Sequence, residues 1–308
     1  MLALWASLAI AGLLVGPIDA AGPPRRARPP KFSNSIRDAF FPNAREKLVG
    51  PRPAPATPEP LAATPADTKS PTPSAASRGW SKWIAAEVVE DEIKTQQIKL
   101  AEMVQNPTRF KGGDYQQARG NLSVLAVMFA IAAEYDGHIR WQRDAAAVRD
   151  LVSRAGFNCK VGTDGSYNEA KSRSEDLQTL VRGGSIQLSE AAADAAWSKV
   201  ADRAPLMKRL ERAQQQSIAP LTANAREFER HADTLAHEAQ MIAALAEVIT
   251  REGFEFADDE TYLEYARAMQ AQALSVRDAA KEKNYEQARQ AAGELGKACS
   301  NCHEKYRS

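Results

Sequence analysis

Near the C-terminus of the chain stand Cys299-Ser-Asn-Cys302-His303. On a helix, residues three and four apart share a face. Both thiols and the imidazole can therefore project from one side of one helix. Two thiols at this spacing can each form a thioether with a vinyl group of one haem, and His303 can turn under the iron as proximal ligand. A redox dithiol or half of a zinc site uses the same Cys-x-x-Cys spacing. A redox dithiol belongs in a βαβ context, and nothing around these residues reads as strand. The candidates to complete a zinc site, Cys159, His138, His231 and His237, are scattered at no ligand spacing. The pattern points to one covalently bound haem c, held by Cys299, Cys302 and His303.

Such a site needs a helical frame. From Trp80 onward the chain is rich in Ala, Glu, Gln, Lys, Arg and Leu, with few alternating β-branched residues. That composition favours helix. Apolar spacing, prolines and glycines predict eight helices, at about 80–105, 113–136, 139–155, 166–182, 189–218, 222–251, 258–282 and 285–307. Four amphipathic helices in antiparallel order can bury their apolar stripes together. The expected fold is all-α: two tandem antiparallel four-helix bundles, at 79–186 and 187–308. The run Asn121–Ala133 is apolar nearly all round and should be the most buried helix of the first bundle.

The two sets of four look like an internal repeat. Trp80-Ser-Lys82 answers Trp197-Ser-Lys199, and Glu134-Tyr-Asp-Gly137 answers Thr250-Arg-Glu-Gly253. Tyr167-Asn168-Glu169 answers Asn284-Tyr285-Glu286, and Leu177 answers Leu295. In this register Val181 and Gly184 stand where the second copy has Cys299 and Cys302. The first copy is a bundle without a haem motif.

The chain before residue 79 is of another kind. Residues 1–21 form an apolar run ending in small residues, which reads as a signal peptide or an N-terminal anchor. The positive charges follow the run instead of preceding it. Fourteen of the 17 prolines fall before residue 75. Residues 22–78 therefore read as a Pro-rich, disordered linker, interrupted by an apolar island, Ser33–Gly50, that could dock on a partner or on the protein's own body. Net charge is +1 with 26% charged residues, which gives no bulk electrostatic case for nucleic acid. There is no Ser-His-Asp order, no Gly-rich phosphate loop and no interpretable carboxylate pair, so an enzyme is not expected. Asp258-Asp259-Glu260 reads as a helix N-terminal cap. Cys159, left without a partner, reads as a free cysteine or as a loop thiol for an intermolecular crosslink.

The second copy resembles the class II c-type cytochromes, the cytochrome c′ family. The resemblance rests on Asn284-Tyr-Glu-Gln-Ala-Arg-Gln-Ala-Ala-Gly-Glu-Leu-Gly296-Lys-Ala-Cys299-Ser-Asn-Cys302-His303-Glu-Lys-Tyr306-Arg307. It covers about residues 195–308, with the motif at the extreme end of a helical domain. It implies a four-helix bundle, one haem attached on the last helix, and assembly outside the cytoplasm, hence a periplasmic or otherwise exported protein. Family members commonly pair two bundles as a homodimer, which suggests that the first bundle here replaces that partner.

The resemblance also implies that the distal side of the haem comes from the bundle's first helix. Counting back from Pro220 in the family's register puts Lys208 near the distal position, with Met207 adjacent. A shift of one residue brings Met207 to the iron as sixth ligand. His231 and His237 are weaker distal candidates. A methionine ligand favours electron transfer with a redox partner protein. An open distal side favours binding of NO or CO. Gly293 and Gly296 cost helix stability, which is reasonable where a flat macrocycle or a neighbouring helix comes close. Tyr306 lies one turn beyond Cys302, either over the haem edge or frayed into solvent. Lys297, Lys305 and Arg307 suit a propionate, a partner or a solvated surface.

Overall fold

A computed structural model describes residues 79–192 and 195–307. The expected signal or anchor segment, the Pro-rich linker and the Ser33–Gly50 island lie outside the described residues. Among the described residues the fold is all helical, with no strand. The principal helices are α1 Ala86–Met103, α2 Tyr115–Ala133, α3 Ala145–Asn158 and α4 Asp164–Val181 in the first bundle. The second bundle has α5 Arg203–Ala213, α6 Ala225–Val248, α7 Glu260–Lys281 and α8 Tyr285–Tyr306.

Two expected boundaries move. The helix expected at 189–218 begins only at Arg203, after a short turn at Trp197–Val200. Pro205 explains this: it has no N–H to give and is tolerated only in a first turn. The helix expected at 139–155 begins at Ala145, because the preceding loop holds Trp141 at a left-handed φ of 63°. Side chains fix the later starts. Asn224 accepts from Glu227 N, Asp259 from Thr261 N and Tyr262 N, and Asn284 from Gln287 N. Asp259 is thus the expected cap.

Residues 121–132 are all buried, as the apolar run predicts. The reason is architectural. α2 packs on α1 and α3 within its own bundle and on α5 of the other. The buried apolar side chains of both bundles form one continuous cluster.

The packing between bundles is reciprocal. Trp80 and Trp197, matching residues of the two copies, lie 5.3 Å apart between ring centroids. The Arg251 guanidinium sits over both rings, at 5.0 and 5.4 Å. The turn after Trp80 docks on the second bundle: Arg277 Nη1 donates to Lys82 O at 2.8 Å, and Ala85 N donates to Gln240 Oε1 at 2.9 Å. The turn after Trp197 docks on the first: Ser153 Oγ donates to Lys199 O at 2.9 Å, and Arg119 pairs with Asp202. Lys82 and Lys199 are matching residues, as are Ala85 and Asp202. This is the pattern of an isologous interface, in which each half offers the other the same patch.

A buried ion group closes this interface. Arg209 on α5 donates through Nε to Glu92 Oε1 of α1 at 2.9 Å, and through Nη1 to Glu238 Oε2 of α6 at 2.7 Å. The Arg209 and Glu92 side chains are 6% and 3% exposed. Gln96 Nε2 donates to the same Glu92 carboxylate, and His237 Nε2 lies 3.5 Å from it. Burial alone would favour protonated Glu92. The His237 and Arg209 hydrogen bonds and the Arg209 charge outweigh it and hold the carboxyl well below its ordinary range.

Candidate functional site

α8 is amphipathic and buries Ala288, Ala291, Ala292, Leu295 and Ala298 against its bundle. Cys299 and Cys302 continue that stripe and are half-buried, while His303 is exposed on the next position. All three line one cavity of about 310 Å³. That volume lies within the range of small-molecule sites. α8 forms one wall through Gly296, Ala298, Cys299, Ser300, Cys302, His303 and Arg307. α7 contributes Tyr262, Tyr265, Ala266 and Met269, and α6 ends at it with Ile249. α5 and the turn after it supply Met207, Leu210, Glu211, Gln214 and Gln215.

The α5 wall settles which residue faces the thiols. Met207 lines the cavity. Lys208 points the other way, into crevices between the bundles beside Gly120 and Pro205. The residues Gln214–Ile218 form a wide π turn, which adds one residue to a regular helix. Counting back from Pro220 without it stops one residue short, and Lys208 becomes Met207. A Cβ on Gly296 would sit 3.6 Å from Gln214 Nε2. α5 and α8 run antiparallel in this up-down order. Met207 is seven residues before Gln214 and His303 seven after Gly296, about two turns on each helix. Met207 and His303 line the same cavity, one from α5 and the other from α8.

Burial pushes both thiols up, with the neighbouring Cys302 adding to the effect on Cys299 and Arg203 partly offsetting it on Cys302. A redox dithiol needs the opposite shift. Cys299 Sγ lies 4.0 Å from Met269 Sδ. Neutral thiols on one apolar face beside an imidazole suit thioether attachment to a flat apolar group. Zinc does not fit: among the described residues no three His, Cys, Asp or Glu side chains gather as a metal site.

The other candidates fall elsewhere. His231 pairs with Glu227 at 3.7 Å and His237 with Glu92, so neither reaches the cavity. Cys159 is fully buried at the end of α3, and burial raises its thiol to about 12. It is neither a loop thiol nor available for an intermolecular crosslink. No neighbouring helix forces the glycines. A Cβ on Gly293 meets nothing within 4 Å, and Gly296 meets only the Gln214 side chain. Tyr306 is half-buried, not frayed: its hydroxyl donates to Asp259 Oδ2 at 2.8 Å, and its ring packs on Phe256, Tyr262 and Tyr265. That cluster ties the end of α8 to the start of α7. Lys297 pairs with Glu294 on the surface, and Lys305 lies over the Tyr306 ring.

The motif missed Leu210, Gln214, Tyr265 and Met269, which share the cavity. It also missed Glu92 and Arg209. The signal for that pair was in the sequence: each is a charge inside an apolar stripe, between Val89 and Ile93 and between Leu206 and Leu210, at matching places in the repeat.

Residues 198–307 match the family model described as cytochrome C′. No curated protein and no solved structure matches the chain. The matched span covers all of α5 to α8, and Cys299, Cys302 and His303 lie together on the last of these helices. The C-terminal bundle is a domain of the cytochrome c′ family, a c-type haem protein.

Proposed function

We propose that the protein is an exported one-electron carrier with a single haem c, and not an enzyme. Cys299 and Cys302 would hold the group by thioether bonds, and His303 and Met207 would ligate its iron. Held by protein ligands on both sides, haem would exchange single electrons and offer no vacant site to a gas. The observation that supports this reading is that Met207 lines the same cavity as Cys299, Cys302 and His303. Leu210, next on the same face of α5, is buried and excludes water beside it. A thioether ligand raises the potential of such a site, which suits transfer to a partner protein. Residues 1–21 support export, with membrane association if they are retained. The partner is another redox protein.

The test is an optical spectrum of the purified protein, oxidised and reduced, with and without CO, for wild type and Met207→Ala. Wild type should be low-spin and indifferent to CO, and Met207→Ala should be high-spin and shift with CO. A wild type that is high-spin and shifts with CO would replace electron transfer by gas binding. The absence of any haem band would reject the reading altogether.

A further inference from the structure

We propose that Glu92, in the bundle without cysteines, is a positioning residue for the cavity of the other bundle. The inference rests on the haem ligation proposed above. α5 has only 11 residues, and it carries Met207, Leu210 and Glu211 into the cavity. Arg209 lies two residues after Met207, about 200° round the helix, on the opposite face. Its guanidinium is buried and held from two sides. Glu238 on α6 takes Nη1 and Nη2, at 2.7 and 3.2 Å, and Glu92 on α1 takes Nε at 2.9 Å. Glu238 belongs to the same bundle as α5, and Glu92 does not. The two carboxylates fix the rotation of α5 about its axis, and so fix where Met207 stands relative to His303. Without Glu92, the pull of Glu238 is unopposed and draws α5 toward α6. A buried guanidinium cannot trade a lost partner for water at no cost, so the helix moves with it.

The rest of the group supports this role. Gln96 Nε2 donates to Glu92 Oε1 at 2.8 Å, and His237 lies against the other oxygen. The carboxylate is therefore held in place from α1 and from α6. It is a fixed anchor, unlike a surface ion pair.

The experiment uses the intact, haem-loaded chain. Glu92→Gln keeps the shape and removes the charge, and Glu92→Leu removes the hold. Trp80→Ala weakens the same interface without touching Arg209. The readouts are the high-spin fraction of the ferric protein, CO affinity and midpoint potential, beside the denaturation midpoint. Glu92→Leu should raise the high-spin fraction and CO affinity several-fold, Glu92→Gln less, and Trp80→Ala should lower stability with the spectrum unmoved. The proposal is overturned if the Glu92 variants lose stability with spin state and CO affinity unchanged, or if Trp80→Ala gives the same spectral shift. A wild type that is high-spin from the outset rejects methionine ligation instead, and the CO affinity of the Glu92 variants then decides the positioning role by itself.

Discussion

The two bundles share an order of helices and part at the last one. α4 stops at Val181. Gly183 takes a left-handed φ of 88°, its N–H donates to Leu180 O, and Gly184 N donates to Thr179 O, which is a Schellman stop. α8 continues past the position matching Val181 to Tyr306, and those added turns carry Cys302 and His303. The connection between second and third helices also differs. Trp141 and Phe256 both sit at left-handed φ, 63° and 67°. In the first bundle, Arg140 N donates to Glu90 Oε1, the residue matching Met207, and Arg140 Nη2 donates to Val181 O. Trp141 Nε1 donates to Leu180 O. In the second bundle, Phe256 turns aside onto Tyr262 and Tyr306. The difference between the copies is therefore larger than two cysteines. One bundle lacks a wall of the cavity and has a loop tied across the ends of the other walls.

The sharpest way to break the comparison is to remove the thiols. Cys299→Ala with Cys302→Ala should abolish covalent haem completely, read as loss of haem stain on a denaturing gel, while far-ultraviolet circular dichroism keeps the helices of both bundles. Next in size is the shared tryptophan pair. Trp80 is 1% exposed, and Trp80→Ala should cost about 3–5 kcal/mol in chemical denaturation, with both bundles unfolding in one weakened transition because their core is continuous. A smaller effect belongs to acid. A carboxyl held below its ordinary value contributes stability above that value and loses it as pH falls. The stability gap between wild type and Glu92→Gln should therefore be full at neutral pH and shrink as pH drops below about 4.3. The smallest expected effect is none. Val181→Cys with Gly184→Cys and Ser185→His, placed in the Cys299→Ala/Cys302→Ala chain, should leave the gel unstained, because the helix ends too soon. Staining would show that the first bundle lacks only the motif residues.

Much of this was legible in the sequence. The grouping of Cys299, Cys302 and His303 at one cavity was, because residues three and four apart share a helix face. The helices were, and so was the burial of Asn121–Ala132, because apolar periodicity is local. The start of α5 was not, since the propensity of 189–202 favours helix and only the placement of Pro205 in a first turn decides otherwise. Nor was the choice between Met207 and Lys208, because a π turn changes the count along a helix without a mark in composition. Glu92 and Arg209 lie 117 residues apart. Their pairing depends on how two bundles meet, which no local pattern encodes.

That pair of matching positions has a further consequence. A dimer of identical bundles would place like against like there, carboxylate on carboxylate or guanidinium on guanidinium. Here the residues have diverged to opposite charge, and the two halves are joined by a stretch of chain short enough to keep their effective concentration in the millimolar range. Association that would depend on protein concentration between separate subunits becomes a property of each molecule. The pair stays together at any dilution the cell imposes.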